Sequence, residues 1–241
     1  MRSSWKSRWM RSPLATIAPE PASGYGAALI VAASAIGALL VAIGRFGWSP
    51  SPLTWYLARS SGIALYGLLF VSYMLGLALA IGWPRGAGRA QAHALHGFAI
   101  ALSWGFLGLH LLSLAADPTV GFGPRQLFVP FAAGWREPWT AFGILAMYLL
   151  VLIGLSVTVR RAMGYPFWKA IHWLTYPLFL LALAHGLGSG SDAGTRWGQD
   201  LYLVTGMAAA GLTLYRVVRG DWRKRLPEPG LPGAPRARRA V

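Results

Sequence analysis

Residues 95–110 of this chain read LHGFAIALSWGFLGLH, and residues 170–185 read AIHWLTYPLFLLALAH. Both stretches are apolar enough to lie inside a membrane, and each carries two histidines close to its ends. An imidazole is costly inside a bilayer, so a histidine there indicates a functional site. Neutral imidazole is also a common axial ligand of haem iron. We therefore expect two membrane helices that hold cofactors between their histidines.

The composition of the whole chain is typical of a membrane protein. Of its 241 residues, 55% are hydrophobic and 12% are charged, which is about half the charged share of an average soluble domain. Six stretches of about 20 residues carry almost no charge, and that length lets an α-helix cross the hydrocarbon core. The six predicted spans are 24–46, 61–83, 90–115, 139–159, 167–187 and 200–218.

These spans predict an all-α membrane protein whose fold is a six-transmembrane-helix bundle. The bundle forms one domain at residues 24–218. A basic tail at 1–23 precedes it, and a basic tail rich in Pro, Gly and Arg follows at 219–241. The first apolar run begins too late and extends too far for a cleaved signal peptide, so we expect it to remain as a span.

Lysine and arginine are distributed unevenly between the two sides of the predicted bundle. With the N-terminus in the cytoplasm, 17 of the 22 basic residues lie on the inner side. The five on the outer side are Arg45, Arg59, Arg125, Arg136 and Arg196. Basic residues concentrate in the cytoplasmic loops of membrane proteins. We expect both termini in the cytoplasm and a multi-pass protein of the cell's inner (plasma) membrane.

The net charge of +15 has a simpler explanation than nucleic-acid binding. The charges lie in tails and short loops beside apolar spans, where they orient the chain and attract anionic lipid. We therefore expect membrane lipid as a partner, and no nucleic acid. The chain has no cysteine, which excludes disulfides, cysteine-ligated iron–sulfur clusters and thiolate-ligated haem within it.

The third and fifth predicted spans run in the same direction, so their histidines match in depth. His96 should face His172 near the cytoplasmic side, and His110 should face His185 near the outer side. Fourteen residues of helix rise about 21 Å and return to nearly the same face, which leaves room for one haem in each leaflet. The 13-residue interval in the fifth span misses the same face by roughly 140° in an ideal helix. Pro177 lies within that interval and offers a way to re-aim one histidine, because proline kinks helices.

A simpler role for each histidine is a hydrogen bond between two membrane helices. Four of the five histidines form two depth-matched pairs, which favours haem ligation instead. The fifth, His93, lies one turn before His96, and we expect a structural role or a place near a haem propionate, with ligation as the alternative. Arg59, at the outer start of the second span, is a candidate cofactor-binding residue through a propionate, or else a snorkelling side chain.

The longest connection, 117–138, contains the apolar stretch QLFVPF at 126–131, which is too short to span a membrane. We expect it at headgroup level, where it could also cover an outer cofactor as a lid. No Walker loop, carboxylate pair inside a span or Ser/His/Asp set is visible, so the sequence indicates no catalytic residue.

The segments around the histidines resemble the ferric reductase-like transmembrane domain family. This family includes ferric reductases, NADPH oxidases and the haem-binding membrane subunit of periplasmic methionine sulfoxide reductase systems. The likeness lies in residues 59–64 (RSSGIA), 95–110 and 170–186, within the second to sixth spans. It implies two b-type haems, an inner one bound by His96 and His172 and an outer one bound by His110 and His185. Because fewer than 25 residues follow the last predicted span, we expect no flavin in this chain.

The expected function is transmembrane electron transfer by a di-haem oxidoreductase membrane subunit without its own flavin or nicotinamide domain. Oxidase and ferric reductase members continue into such a domain, whereas fewer than 25 residues follow the last predicted span here. We therefore expect a separate flavoprotein reductase or a quinol as donor, and a periplasmic or extracellular redox protein or ferric iron as acceptor. The alternative is an accessory or structural subunit of a larger respiratory or photosynthetic membrane complex.

Overall fold

The computed structural model describes residues 52–225, which form eight helices. They are α1 (Pro52–Ala80), α2 (Ala87–Ala116), α3 (Pro124–Phe128), α4 (Trp139–Thr158), α5 (Arg160–Met163), α6 (Tyr165–His172), α7 (Thr175–Ser189) and α8 (Arg196–Arg225). No strand occurs within residues 52–225, so the all-α prediction is confirmed over this range. The first predicted span, 24–46, the N-terminal tail and residues 226–241 lie outside the described residues.

Within residues 52–225, five helical segments are long and apolar enough to cross a membrane. They are Leu53–Ala80, Ala87–Ala116, Trp139–Thr158, Tyr165–Ser189 and Arg196–Arg219, of which the fourth combines α6 and α7. They correspond to the second through sixth predicted spans. The chain is therefore a multi-pass membrane protein.

The helices of two predicted spans, the second and the sixth, extend beyond the expected ends. α1 begins at Pro52, nine residues before the expected start, and places Arg59 about two turns inside the helix. Proline suits a first helical turn because its missing N–H would have no partner there, and Asp192 neutralises the arginine charge. α8 runs over Arg196–Arg225, beyond the expected 200–218, since backbone hydrogen bonds sustain a helix without apolar side chains.

The fifth predicted span is interrupted by a tight turn at residues 173–174, between α6 and α7. The Tyr176 N–H donates to the Trp173 carbonyl at 3.1 Å, three residues back instead of four. The Trp173 carbonyl cannot accept the usual helical bond from the residue four positions later, because that residue is Pro177, which has no N–H. The turn separates the two histidines of this span, so they need not obey the angular spacing of one ideal helix.

The closest helix contacts are those of α1 with α2 and of α4 with α7. Among the described helices, α2 and α7 carry three of the four paired histidines but do not pack closely on each other. A buried apolar cluster joins the two helix pairs, and its members include Leu69, Leu107, Ile144, Leu150 and Leu178. Its member on α2, Leu107, lies between His96 and His110 in the sequence. Most members of this cluster line the space between α2 and α7 beside His110 and His185.

The two ends of the bundle differ in charge. The loop end is formed by residues 117–138 and 190–195, and the basic end by residues 81–86 and 159–164. At the loop end four arginines accompany four carboxylates: Arg59, Arg125, Arg136 and Arg196 with Asp117, Glu137, Asp192 and Asp200. At the basic end, where no carboxylate occurs among the described side chains, lie Arg85, Arg89, Arg160, Arg161, Lys169, Arg216 and Arg219. The folded bundle therefore keeps the charge asymmetry of the sequence.

Candidate functional site

The structure brings the four predicted ligand histidines together as two pairs. The imidazole centres of His110 and His185 are 6.4 Å apart, and the ring planes meet at 83°. The centres of His96 and His172 are also 6.4 Å apart, and their planes meet at 71°. The partners are those that the depth argument predicts. The first pair lies toward the loop end and the second toward the basic end.

The separation of 6.4 Å matches a simple coordination geometry. A metal–imidazole nitrogen bond is about 2 Å and the ring centre lies roughly 1 Å behind that nitrogen, so two imidazoles on opposite sides of one ion have centres about 6 Å apart. Within residues 52–225, no group of three or more His, Cys, Asp or Glu side chains is arranged to hold a metal ion. Each pair offers two ligands, which fits a metal whose other ligands come from a planar macrocycle such as haem.

Both imidazoles of the loop-end pair are held by a hydrogen bond at Nδ1. Nδ1 of His110 lies 2.8 Å from the carbonyl oxygen of Ala58, and Nδ1 of His185 lies 3.0 Å from that of Trp139. A carbonyl oxygen only accepts, so each Nδ1 donates its proton and each Nε2 of the neutral ring keeps a lone pair. Metal-ligating histidines are commonly oriented by such a bond to the second nitrogen.

His96 at the basic end is held in the same manner by Ser72 of α1. Its Nδ1 lies 2.9 Å from the Ser72 carbonyl oxygen and 3.0 Å from the Ser72 hydroxyl oxygen. Since the carbonyl accepts the Nδ1 proton, Nε2 of this ring also keeps its lone pair. Three of the four imidazoles are therefore oriented by the same kind of hydrogen bond, from Nδ1 to a backbone carbonyl of a neighbouring helix.

His172 is held differently from the other three. It is the last residue of α6, and its Nδ1 is buried with no hydrogen-bond partner in the described part of the chain. Its ring stacks on that of Trp168, with centres 5.0 Å apart and planes inclined by 22°. The Trp168 Nε1 is likewise buried and has no partner among residues 52–225. Within the described part of the chain, stacking on Trp168 orients this imidazole and no hydrogen bond does.

A cavity of about 200 Å³ lies beside the His110–His185 pair. Its walls are mainly apolar and come from α1, α2, α4, α7 and the connection 117–138. The connection contributes Val120, Phe122, Gln126, Leu127 and Trp135. The connection 117–138 therefore borders the cavity together with the two imidazoles and the apolar helix faces, and its role as a lid stays a prediction.

Arg59 borders the same cavity, but its charge is already paired. Its Nε donates to one carboxylate oxygen of Asp192 at 2.9 Å, and its Nη2 contacts the other oxygen. The Asp192 side chain is only 6% exposed, whereas that of Arg59 is 34% exposed. This bidentate pair joins α1 to the connection between α7 and α8. A propionate role for Arg59 stays a prediction, and the propionate would approach an arginine that already has a carboxylate partner.

Sequence reasoning missed Asp192 and the three carbonyl acceptors. Asp192 lies in a Gly/Ser-rich connection without a recognisable motif, although an acidic residue level with several outer arginines is a usable signal for an ion pair. The carbonyls of Ala58, Ser72 and Trp139 carry no sequence signal, because every residue has a carbonyl group.

His93 and two basic side chains near the basic-end pair, Arg89 and Lys169, lie outside the pair. His93 is exposed, three residues before His96 on α2, and does not join either pair. The Arg89 guanidinium donates to the Leu79 carbonyl at 3.2 Å. The Lys169 ammonium lies over the ring of Tyr165, 5.7 Å from its centre.

No family model matches this chain, and neither a curated protein nor a solved structure shows significant similarity to it. The resemblance to the ferric reductase-like transmembrane domain family therefore stays a prediction that depends on the quoted segments alone.

Proposed function

We propose that this chain is a di-haem b-type transmembrane electron-transfer subunit. The observation that carries the proposal is the two histidine pairs, each with ring centres 6.4 Å apart, in a membrane-spanning bundle. His96 with His172 and His110 with His185 would supply the axial nitrogens of two haems. Bound haem iron alternates between ferric and ferrous states and so carries one electron at a time.

The residues of this chain orient the ligands and keep water away. The carbonyls of Ala58, Ser72 and Trp139 hold Nδ1 protons, so that three Nε2 lone pairs are available for a metal. Most members of the buried apolar cluster, among them Leu69, Leu107 and Leu178, line the loop-end cavity and make the surroundings of the His110–His185 pair apolar. Fourteen residues of continuous helix separate His96 from His110, a rise of about 21 Å that places the two sites at different depths.

The charge asymmetry supports a direction for the transfer. Basic residues mark the cytoplasmic side of membrane proteins, so the basic end would face the cytoplasm and the loop end the outside. A flavoprotein reductase or a quinol would then deliver electrons near His96 and His172. A periplasmic or extracellular redox protein, or ferric iron, would accept them near the loop end.

The decisive experiment is a reduced-minus-oxidised spectrum of the purified full chain, with haem counted per chain. Two b-type haems with low-spin spectra are the expected result, and reduction by a quinol or by a reductase distinguishes the two donors. A chain without haem overturns the proposal. That outcome favours an accessory subunit of a larger membrane complex.

The topology has its own test, which exploits the absence of cysteine from the chain. Arg125 at the loop end and Arg161 at the basic end are both exposed and are suited to single Arg→Cys variants. A membrane-impermeant maleimide applied to intact cells, or to spheroplasts of a double-membrane bacterium, should label Arg125→Cys only, and broken cells should allow both reactions. Labelling of Arg161→Cys in the intact preparation would reverse the direction of transfer.

A further inference from the structure

Three of the four paired histidine rings rest against a glycine of the neighbouring helix. A Cβ atom added at Gly143 would lie 2.6 Å from Nδ1 of His185, and one added at Gly62 would lie 3.0 Å from Cε1 of His110. One added at Gly76 would lie 3.5 Å from Cε1 of His96. At Gly143 and Gly62 the histidine ring therefore occupies space that a Cβ atom would take, whereas at Gly76 an added Cβ would only reach ordinary van der Waals contact with the ring.

Each of these glycines lies four residues after the carbonyl that accepts the Nδ1 proton. We call each such carbonyl together with its glycine a seat. The three seats are Ala58 with Gly62, Ser72 with Gly76, and Trp139 with Gly143. Residues four apart lie one above the other on the same face of a helix. The carbonyl therefore meets Nδ1 while the missing side chain one turn further on leaves room for the ring.

The two seats on α1 are separated by the same number of residues as the two histidines on α2. Gly62 and Gly76 are 14 residues apart, as are His96 and His110 on the antiparallel helix α2. One helix–helix register therefore seats both rings. A contact that arose by chance at one level would not recur at the other with its carbonyl, its glycine and its ring in the same order.

We propose that Gly62 and Gly143 are positioning residues, which admit the imidazoles of His110 and His185 to the carbonyls and thereby set the tautomer and direction of Nε2. The consequence for haem binding depends on the function proposed above, whereas the tautomer is a property of the protein alone. An added methyl group at Gly143 pushes the ring of His185 away from the Trp139 carbonyl. The Nδ1 proton then loses its acceptor, and the direction of Nε2 changes.

α4 supplies a matched control for this substitution. It contains two glycines, and a Cβ atom at the second, Gly154, would lie 2.5 Å from the Trp104 ring. Gly143→Ala and Gly154→Ala thus introduce the same methyl group into equally tight contacts on the same helix, and only the first contact is with a histidine. Gly67 of α1 has no atom within 4 Å of an added Cβ and serves as a contact-free control.

The test uses the full chain with ¹⁵N-labelled histidine, first without haem and then with haem added. His185→Gln assigns the signal of that residue. Without haem, the Nδ1-protonated signal of His185 should disappear in Gly143→Ala and persist in Gly154→Ala and Gly67→Ala. With haem, Gly143→Ala should weaken loop-end binding by about 10- to 100-fold, the usual effect of disturbing a group behind a metal ligand.

Persistence of the Nδ1-protonated signal in Gly143→Ala, or its equal loss in Gly154→Ala, overturns the proposal. If Gly143→Ala does not fold, Gly62→Ala tests the same point at His110 with a milder contact of 3.0 Å. A wild-type chain that binds no haem but shows the Nδ1-protonated signals, with the expected loss in Gly143→Ala, refutes the proposed function and supports the seats.

Discussion

The loop-end and basic-end histidine pairs have the same ring separation but different support. At the loop end both rings have a carbonyl partner and a glycine behind them, and α7 carries His185 within a continuous helix. At the basic end, among residues 52–225, only His96 has a carbonyl partner, with Gly76 in ordinary contact with its ring, while His172 ends α6 and stacks on Trp168. Two pairs that look equivalent in the sequence are thus built with unequal rigidity.

The cause of the difference lies in the partner helix and in the break at residues 173–174. α4 has two glycines, of which Gly143 seats His185 and Gly154 accommodates Trp104, so α4 has no glycine left for His172. A ligand held by stacking is oriented less strictly than one held by a hydrogen bond to a fixed carbonyl. We therefore expect the loop-end site to bind its cofactor more tightly than the basic-end site.

The largest effect should come from removing ligands. His185→Ala or His110→Ala should reduce the haem content from two per chain to one, and so should His172→Ala, because each site needs both of its axial nitrogens. His93→Ala is the control and should retain two haems. If single ligand variants of both pairs keep two haems, the pairing is wrong and the comparison between the two sites has no basis.

The ion pair at the loop end should have the next largest effect. Asp192→Asn leaves Arg59 without its carboxylate, which should lower the free energy of unfolding by about 1–3 kcal/mol, less than for a fully buried pair because the arginine is one-third exposed. The double variant with Arg59→Gln should recover part of this loss, which a double-mutant cycle measures. Asp200→Asn, at an exposed position of the same end, is the control. Equal losses for Asp192→Asn and Asp200→Asn would show that the pair does not stabilise the loop end.

The stacking contact at the basic end should have a smaller and local effect. Trp168→Leu removes the ring on which His172 rests, a contact between aromatic rings that contributes about 0.5–1.5 kcal/mol. We expect haem affinity at the basic-end site to fall up to about tenfold, with the loop-end site unchanged. Trp173→Leu, whose side chain is 56% exposed, is the matched control. A loss at both sites in haem titrations would mean that the tryptophan supports the bundle and not the ligand.

The smallest effect is expected at Ser72. Ser72→Ala removes the hydroxyl near His96 but keeps the carbonyl that accepts the Nδ1 proton. Because a carbonyl alone suffices at the loop end, haem affinity should change by roughly threefold or less, below the full contribution of a hydrogen bond. Ser60→Ala on the same helix is the exposed control. A tenfold loss in Ser72→Ala would assign the orientation of His96 to the hydroxyl.

The sequence predicted the membrane-spanning helices of this molecule more accurately than the residues at which they begin and end. The second to sixth spans are helices as expected, since a run of about 20 apolar residues in a membrane has few alternatives to a helix. The start of α1 was misplaced because Arg59 resembles a boundary until its partner is known. The break before Pro177 could be expected only in general terms, because proline disrupts the helix upstream by an amount that local contacts decide.

The histidine pairing was predictable because depth in a membrane follows from position along a helix. Parallel spans place residues of equal depth opposite each other, so His96 with His172 and His110 with His185 followed from counting residues. The ion pair of Arg59 with Asp192 was not predictable in this way. It joins residues 133 positions apart, and one of them lies in a connection whose course depends on the helices around it.

The sequence by itself determined the helical membrane fold, the charge asymmetry and the depth of each histidine, because hydropathy, charge and helical rise are properties of short segments. Only the tertiary structure decided which carbonyl meets each Nδ1, which glycine leaves room for each ring, and why His172 has neither. Those contacts depend on the register between helices that are distant in the chain, and packing of whole helix faces sets that register. A carbonyl and a glycine acquire their role only when an imidazole is brought against them.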